Sequence, residues 1–257
     1  MTSNFDLIPI LAVLMVAAAS GLVGVFALSR RMTLAADAIS HIALPGLGLA
    51  ILLKINPLIG GAAALILGAF LIWALERRTG IATETVIGVV FSASLAIGSL
   101  LITSDEELLE ALFGDLGTLS PPESLVGIIL SALIIIFILS YKEKFTLSFL
   151  SADLAKTAGL NVPRLNLFFL LLFVITVILG LKFLGVLLMG SLIIVPAAAS
   201  RNLARNFNAD LAISVAAALV SVALGLILAS RYETEIGPTI ISVAAAIFFI
   251  SIFLKRR

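Results

Sequence analysis

The chain holds a single histidine, His41, and an aspartate four residues before it, Asp37, within Ala36-Asp37-Ala38-Ile39-Ser40-His41-Ile42-Ala43-Leu44-Pro45-Gly46. In a helix, residues four apart lie on one face, one turn above the other. The spacing sets a carboxylate beside an imidazole, and both are ligands for divalent cations. The surrounding residues are apolar, so the pair stands where charge is costly. An aspartate near the middle of a membrane helix costs roughly 2.5–3.5 kcal/mol on insertion scales. One substitution would remove that cost. An ionisable residue kept in such a place points to ion or proton passage; the plainer alternative is a structural hydrogen bond between the two side chains.

Two features of the backbone add to the pair. Pro45 has no N–H, so the carbonyl of His41, four residues earlier, loses its helical partner. The spacing predicts a kink with a free backbone oxygen beside the two side chains. Gly46 and Gly48 permit another backbone to come close. A second small-residue stretch, Leu184–Ser200, carries Gly185, Gly190 and Pro196, and Pro196 would free the Leu192 carbonyl. Small residues favour close helix packing in lipid, the leading expectation there; lining of a pathway is the alternative.

The elements that must position these residues follow from composition. Of 257 residues, 61% are hydrophobic, with a mean hydropathy of +1.25, whereas soluble domains are roughly 45–50% apolar. The expected architecture is all-α, a single polytopic transmembrane bundle over 1–257. Candidate spans are Leu7–Leu28, Leu34–Leu53, Leu58–Leu75, Thr85–Thr103, Ser124–Ser140, Leu165–Leu181, Leu184–Ala199, Phe207–Ala229 and Ile236–Leu254. The first has no basic n-region before it and is expected to span rather than to be a signal peptide. The total is eight or nine, depending on whether 165–199 forms two short passes or a re-entrant pair.

Basic residues orient such a chain, because Lys and Arg concentrate in cytoplasmic loops. Arg30, Arg31, Arg77, Arg78, Lys142, Lys144, Lys156, Arg164, Arg201, Arg205, Lys255, Arg256 and Arg257 make 13 of the 16 Lys and Arg. They fall on one side if the N-terminus is outside and the C-terminus cytoplasmic. An even number of passes must then join Lys142/Lys144 to Arg201/Arg205. On the outer side, Asp105, Glu106, Glu107, Glu110 and Asp115 alternate with Leu108, Leu109, Leu112 and Phe113, the pattern of a short helix lying at the surface. On the inner side, Tyr141–Arg164 contains a short helix. Ser151 caps it, Asp153 lies in its first turn, Leu154 follows, and Gly159 ends it. A capped helix between two spans can be a linker or can take a push from a soluble partner.

Other chemistries find no residues. Zero cysteines exclude disulfides, thiolate metal sites and cysteine nucleophiles. No lysine follows a glycine, so a Walker A loop is absent. There is no His-Glu-x-x-His helix, no Gly-x-Ser-x-Gly, and no basic patch with aromatics for nucleic acid. The chain is expected not to be an enzyme.

With these residues in view, the sequence resembles the membrane permease subunit of bacterial ATP-binding-cassette importers for zinc, manganese and iron. Members of that family read close to Gly-Asp-Ala-Leu-Ser-His-Ala-Val-Leu-Pro-Gly where this chain has Ala36–Gly46. Glu84–Ser92, Leu112–Asp115, Ser148–Val162 and Gly185–Ala199 resemble further family segments in the same order. Departures are Ala36 for glycine, Ile42 for a small residue, and Ser151-Ala152-Asp153 where Asp-Pro-Glu is common.

The resemblance implies a bacterial inner-membrane subunit that moves a divalent metal inward as cargo, with no resident cofactor. It implies a homodimer or close pair, with Asp37 and His41 as metal ligands and with Pro45, Gly46 and Pro196 at kinks or gates. A cytoplasmic ATPase would meet Ser151, Asp153, Leu154 and Gly159, and an extracytoplasmic metal-binding protein would deliver the ion. Two ligands per chain are fewer than the four to six a divalent ion takes, and two copies around a twofold axis would supply four. Alternatives are a proton-coupled secondary transporter, with Asp37 and His41 as a relay, and an ABC permease for a metal chelate.

Overall fold

A backbone in hydrocarbon has no water to bond, so an apolar run satisfies its N–H and C=O groups internally as helix. The computed structural model describes residues 7–30, 32, 35–102 and 120–254, and among these it contains helices and no strand. In chain order they are α1 Leu7–Ser29, α2 Ala35–His41, α3 Leu44–Leu52, α4 Pro57–Thr79, α5 Thr83–Leu101, α6 Pro121–Leu150 and α7 Ala152–Thr157. There follow α8 Val162–Gly185, α9 Leu188–Leu203, α10 Phe207–Tyr232 and α11 Ile236–Phe253. Seven of them (α1, α4, α5, α6, α8, α10 and α11) are long and apolar enough to cross a membrane. The candidate spans over 34–53 and 184–199 fall on the two shorter apolar runs, Asp37–Leu52 and Leu188–Leu203.

Helix starts follow local chemistry. The Asn56 side chain accepts from Leu58 N, Asn161 from Arg164 N and Asn206 from Ala209 N. The first two caps are followed by a proline in the first turn, where its missing N–H costs nothing. Hydropathy alone sets the first two starts one and three residues late, at Leu58 and Leu165, and meets the third at Phe207.

Side-chain pairs show which helix ends lie together. At one end Arg30 bonds Glu76, Trp73 bonds the Pro163 carbonyl, Lys142 bonds Asn208, Arg201 bonds Ser29 and Asp210, and Asn202 bonds Ser251. At the other end Lys182 pairs with Glu123, and Leu58 lines the same cleft as both. The basic clusters at 30, 77–78, 142–144, 164 and 201 thus converge on one end of the bundle.

α1 forms the centre. Residues Ala12 to Ala27 are almost all buried, against α6, α8, α9 and α10. Glycine makes this possible: a methyl on Gly24 would fall 1.9 Å from the Ile193 carbonyl oxygen. At the basic end Phe26, Phe145, Phe149, Phe169 and Phe207 interlock, with ring centroids 5.2–5.9 Å apart for the nearest pairs.

Three expectations change. The run over Ser124–Ser140 becomes a helix that continues to Leu150, about 15 Å further. Lys142, Glu143 and Lys144 lower the hydropathy there without breaking the helix, and fully buried Phe145 anchors it in the aromatic cluster. The run over Leu34–Leu53 is two helices rather than one kinked helix. The stretch Leu184–Ser200 is interrupted at Gly185 (φ 80°, ψ 167°), while Pro196 lies within α9. The chain reverses at Gly185, since a methyl on Gly180 would fall on the Met189 sulfur, and these residues would be far apart in one continuous helix. The acidic segment Ser104–Asp115 lies outside the described residues.

Candidate metal site

The break after α2 builds the site. Ile42 N bonds back to Ile39 O and Ala43 N to Ser40 O, i to i−3 contacts that tighten the last turn. Leu47 N then bonds Ala43 O and α3 begins, with Pro45 in its first turn. Pro45 has no N–H for the His41 carbonyl, so the ladder cannot be carried through. The helix therefore ends at His41, and the pair occupies its last two turns.

The histidine is oriented by its own helix. Nδ1 lies 2.8 Å from the Asp37 carbonyl oxygen. A carbonyl only accepts, so Nδ1 carries a proton and donates, and in the neutral ring Nε2 is the nitrogen with the lone pair. Fixing one ring nitrogen on a carbonyl is how metal-binding histidines are commonly held. The Asp37 carbonyl also accepts from Ser40 Oγ at 2.7 Å. The Asp37 carboxylate is 3.9 Å from Nδ1, beyond hydrogen-bond reach. Its oxygens are not consumed by the histidine, so the structural hydrogen bond between the two side chains does not form. Phe91 of α5 stands against the imidazole edge to face, with centroids 5.6 Å apart.

Neighbouring helices press on this segment through small residues. A methyl on Gly190 of α9 would lie 2.8 Å from Asp37 Cα, one on Gly68 of α4 would lie 2.6 Å from Ile42 Cγ2, and one on Gly98 of α5 would lie 2.7 Å from Leu44 Cβ. Gly46 and Gly60 cross backbone to backbone. Gly68 thereby makes room for the bulk of Ile42. The helical rise from Gly190 to Arg201 is about 16 Å, so Asp37, packed on Gly190, lies well inside the bundle rather than at its basic end.

The Asp37 side chain is 57% exposed and that of His41 16%. The carboxylate therefore opens onto the surface of a single chain at a depth where the bundle is otherwise apolar. Among the described residues no third His, Cys, Asp or Glu joins the pair. One chain offers two donors of a coordination sphere that takes at least four.

The residues expected at a coupling surface form a separate group at the basic end. Ser151 caps α7, its hydroxyl accepting from Leu154 N. Asp153 lies in the first turn and pairs with Lys156, and Gly159 has φ +77°, the left-handed stop that glycine supplies. Leu154 is 61% exposed while Ala155 is fully buried, so α7 rests on one face and presents an apolar side chain outward. Its base is tied to the approach to the site. The Arg30 guanidinium lies over the Phe149 ring and bonds Glu76, which also accepts from Thr83. Burial pushes the Arg30 pKa down, with Glu76 opposing. Phe91 was not singled out by sequence reasoning, and Gly190 stood there only as one small residue of the stretch Leu184–Ser200. Both stand inside stretches that carry the resemblance, but nothing local to either points to His41 or Asp37.

A bundle of apolar helices that includes a discontinuous one, with ionisable side chains at the break, is the layout of a membrane transport protein. The model of the ABC 3 transport family matches residues 4–255, and the chain belongs to that family as a multi-pass membrane permease. It is 32% identical over 240 residues to the high-affinity zinc uptake system membrane protein ZnuB of Haemophilus influenzae, covering 91% of each chain. To the manganese transport system membrane protein MntC of Listeria monocytogenes it is 30% identical over 241 residues, covering 93% of this chain and 86% of that one. Its fold superposes on a chain of PsaBC from Streptococcus pneumoniae in complex with Fab with a TM-score of 0.84 at 26% identity, over 98% of this chain and 92% of that one.

Proposed function

We propose that this chain is the membrane subunit of an ATP-driven importer for a divalent transition metal ion, of the class that moves zinc, manganese or iron. Asp37 and His41 bind the ion in transit, and two copies related by a twofold axis close four donors around it. The observation that carries this reading is the half-exposed Asp37 carboxylate beside an imidazole whose Nε2 lone pair is free, deep in an apolar bundle. Such a carboxylate is tolerable in a membrane only if it faces a partner, water or a cation. A second copy supplies the first, and the ion supplies the last.

The basic end is cytoplasmic in this reading, by the distribution of Lys and Arg, which leaves the N-terminus outside. α7 receives the ATPase at that end, through exposed Leu154 and the capped turn Ser151–Asp153, with Gly159 as its stop. Movement of α7 passes through Phe149 and Arg30 to the segment leading into α2. An extracytoplasmic binding protein delivers the ion at the opposite end. Pro45 and Gly46 keep the site helix discontinuous, and the lipid bilayer surrounds the exposed faces of α4, α5, α6 and α11.

The test is whole-cell metal content by mass spectrometry in a strain lacking this gene, carrying the wild type, or carrying His41→Ala or Asp37→Ala at matched expression. One metal should fall in the deletion, return with the wild type, and stay low with either variant. Normal accumulation in either variant would remove the pair from the pathway.

A further inference from the structure

The cytoplasmic ends of α6 and α8 enclose a cleft of about 270 Å³ that the transport reading uses only at Gly159. Two cations, Lys144 and Arg164, line it together with Tyr141, Leu165 and Phe168. Arg30, Lys156 and Arg201 at the same end of the bundle each hold a carboxylate. Lys144 and Arg164 make no ion pair among the described residues, and the adjacent Glu143 engages neither. Lys144 is instead held over the Tyr141 ring, 4.7 Å from its centroid.

Below the cations the wall becomes a continuous apolar strip. The Tyr141 ring meets Phe168 at 5.1 Å, and Phe168 meets Phe137 at 5.9 Å. Phe137 and Leu133 are 42% and 43% exposed. Leu133, Phe137, Tyr141 and Lys144 are spaced four, four and three apart, so they share one face of α6. From the basic end toward the middle of the bundle this face reads cation, interfacial aromatic, lipid-facing apolar.

We infer that this cleft binds one anionic phospholipid, its phosphate between Lys144 and Arg164 and its acyl chains along Phe137 and Leu133. An acidic protein segment would match the two cations but not the apolar strip beneath them. Basic pockets between membrane helices on the cytoplasmic side are sites of this kind, and a tyrosine at headgroup level is the usual interfacial anchor. The turn at Gly159, which ends α7, forms part of the same cleft, so the lipid would rest against the base of the coupling helix. The leaflet, though not the site itself, rests on the topology proposed above.

The test is native mass spectrometry of the full-length chain released from micelles. Those micelles contain equal amounts of phosphatidylglycerol and phosphatidylcholine with identical acyl chains. The wild type should retain phosphatidylglycerol preferentially, and glycerol 3-phosphate should not displace it. Lys144→Gln/Arg164→Gln should weaken that retention about thirtyfold, each single variant should fall between, and Lys156→Gln should match the wild type. Equal retention of the two lipids, or a preference that survives the double variant, would overturn the site. So would displacement by glycerol 3-phosphate, which would mark a phosphate site, or, in a parallel pull-down from cells, loss of the ATPase subunit from the double variant with lipid retention intact, which would mark a protein surface. Because the chain has no cysteine, Lys156→Cys reports the side. Labelling by an impermeant maleimide from outside intact cells would overturn the leaflet and the topology, whereas failure of the lipid arms would leave that topology standing.

Discussion

Gly190→Ala separates the position of the metal pair from its chemistry, because Gly190 has no side chain to offer as a ligand and packs on Asp37 at its N, Cα and Cβ. An added methyl would lie 2.8 Å from Asp37 Cα and 3.1 Å from both its Cβ and its N, whereas ordinary contacts begin near 3.4 Å. The two backbones must part by about 0.6 Å. Both contacting atoms belong to helices, so no flexible side-chain end can absorb the shift. Overpacking of this kind costs about 1–3 kcal/mol. Functional groups must be held within about 0.5 Å of their working geometry, so the shift is large enough to matter at the site. If the strain is relieved by displacing α2, the concentration of metal giving half-maximal uptake should rise about 5- to 150-fold. The assay is concentration-dependent uptake in cells matched for the amount of permease in the membrane, with a melting curve of the purified variant. A variant that melts like the wild type and takes up metal with unchanged half-saturation would refute the packing of Asp37 on Gly190. A variant that fails to accumulate in the membrane calls for the same Gly190→Ala chain expressed at lower growth temperature, with the same readouts.

Two further outcomes follow from the same geometry. Phe91→Ala removes the edge-to-face partner of the imidazole, a contact worth about 0.5–1.5 kcal/mol, and should raise half-saturation about 2- to 12-fold with the maximal rate largely kept; an unchanged value would show that the carbonyl bond alone orients His41. Gly185→Ala forces a methyl into φ 80°, ψ 167°, a region open in practice only to glycine, at about 1–3 kcal/mol. The melting temperature of the purified protein should fall more than with Pro196→Ala, and the reverse order would refute Gly185 as the reversal point.

Some of this was legible in the residues and some was not, for physical reasons. Asp37 and His41 are four apart, and helical geometry alone puts them on one face. Pro45 announced a disturbance but not its size, because whether a freed carbonyl yields a bend or a break depends on the helices packed around it, here through Gly68, Gly98 and Gly60. In the later stretch Pro196 was the conspicuous residue, yet a proline bends a helix by removing one hydrogen bond and crowding the turn before it, while the reversal here sits on a positive φ. Gly180, Gly185 and Gly190 were equal candidates for that in sequence. Hydropathy ended the α6 span at Ser140, before Lys142, because it scores charge, and the helix continues because Phe145 finds Phe26 and Phe169, partners distant in the chain. The exposure of Asp37 belongs to the assembled bundle and has no signature in a local pattern.

The central place of α1 also has a consequence for biogenesis. It is the first described helix to leave the ribosome, yet its sheath comes late. Its Gly24 is shaped to receive Ile193, and the Gly21 carbonyl accepts from Ser214 Oγ across 193 residues of chain. At a synthesis rate of about 5–20 residues per second, α1 waits some 10–40 s for those partners. During that interval its small-residue face and the Gly21 carbonyl are open to lipid or to whatever the insertion machinery holds against them. α1 is therefore inserted well before α8, α9 and α10, which complete its packing. Truncated chains that stop before α9 should be recognised by quality-control proteases through this uncovered face, however well each helix has crossed the membrane.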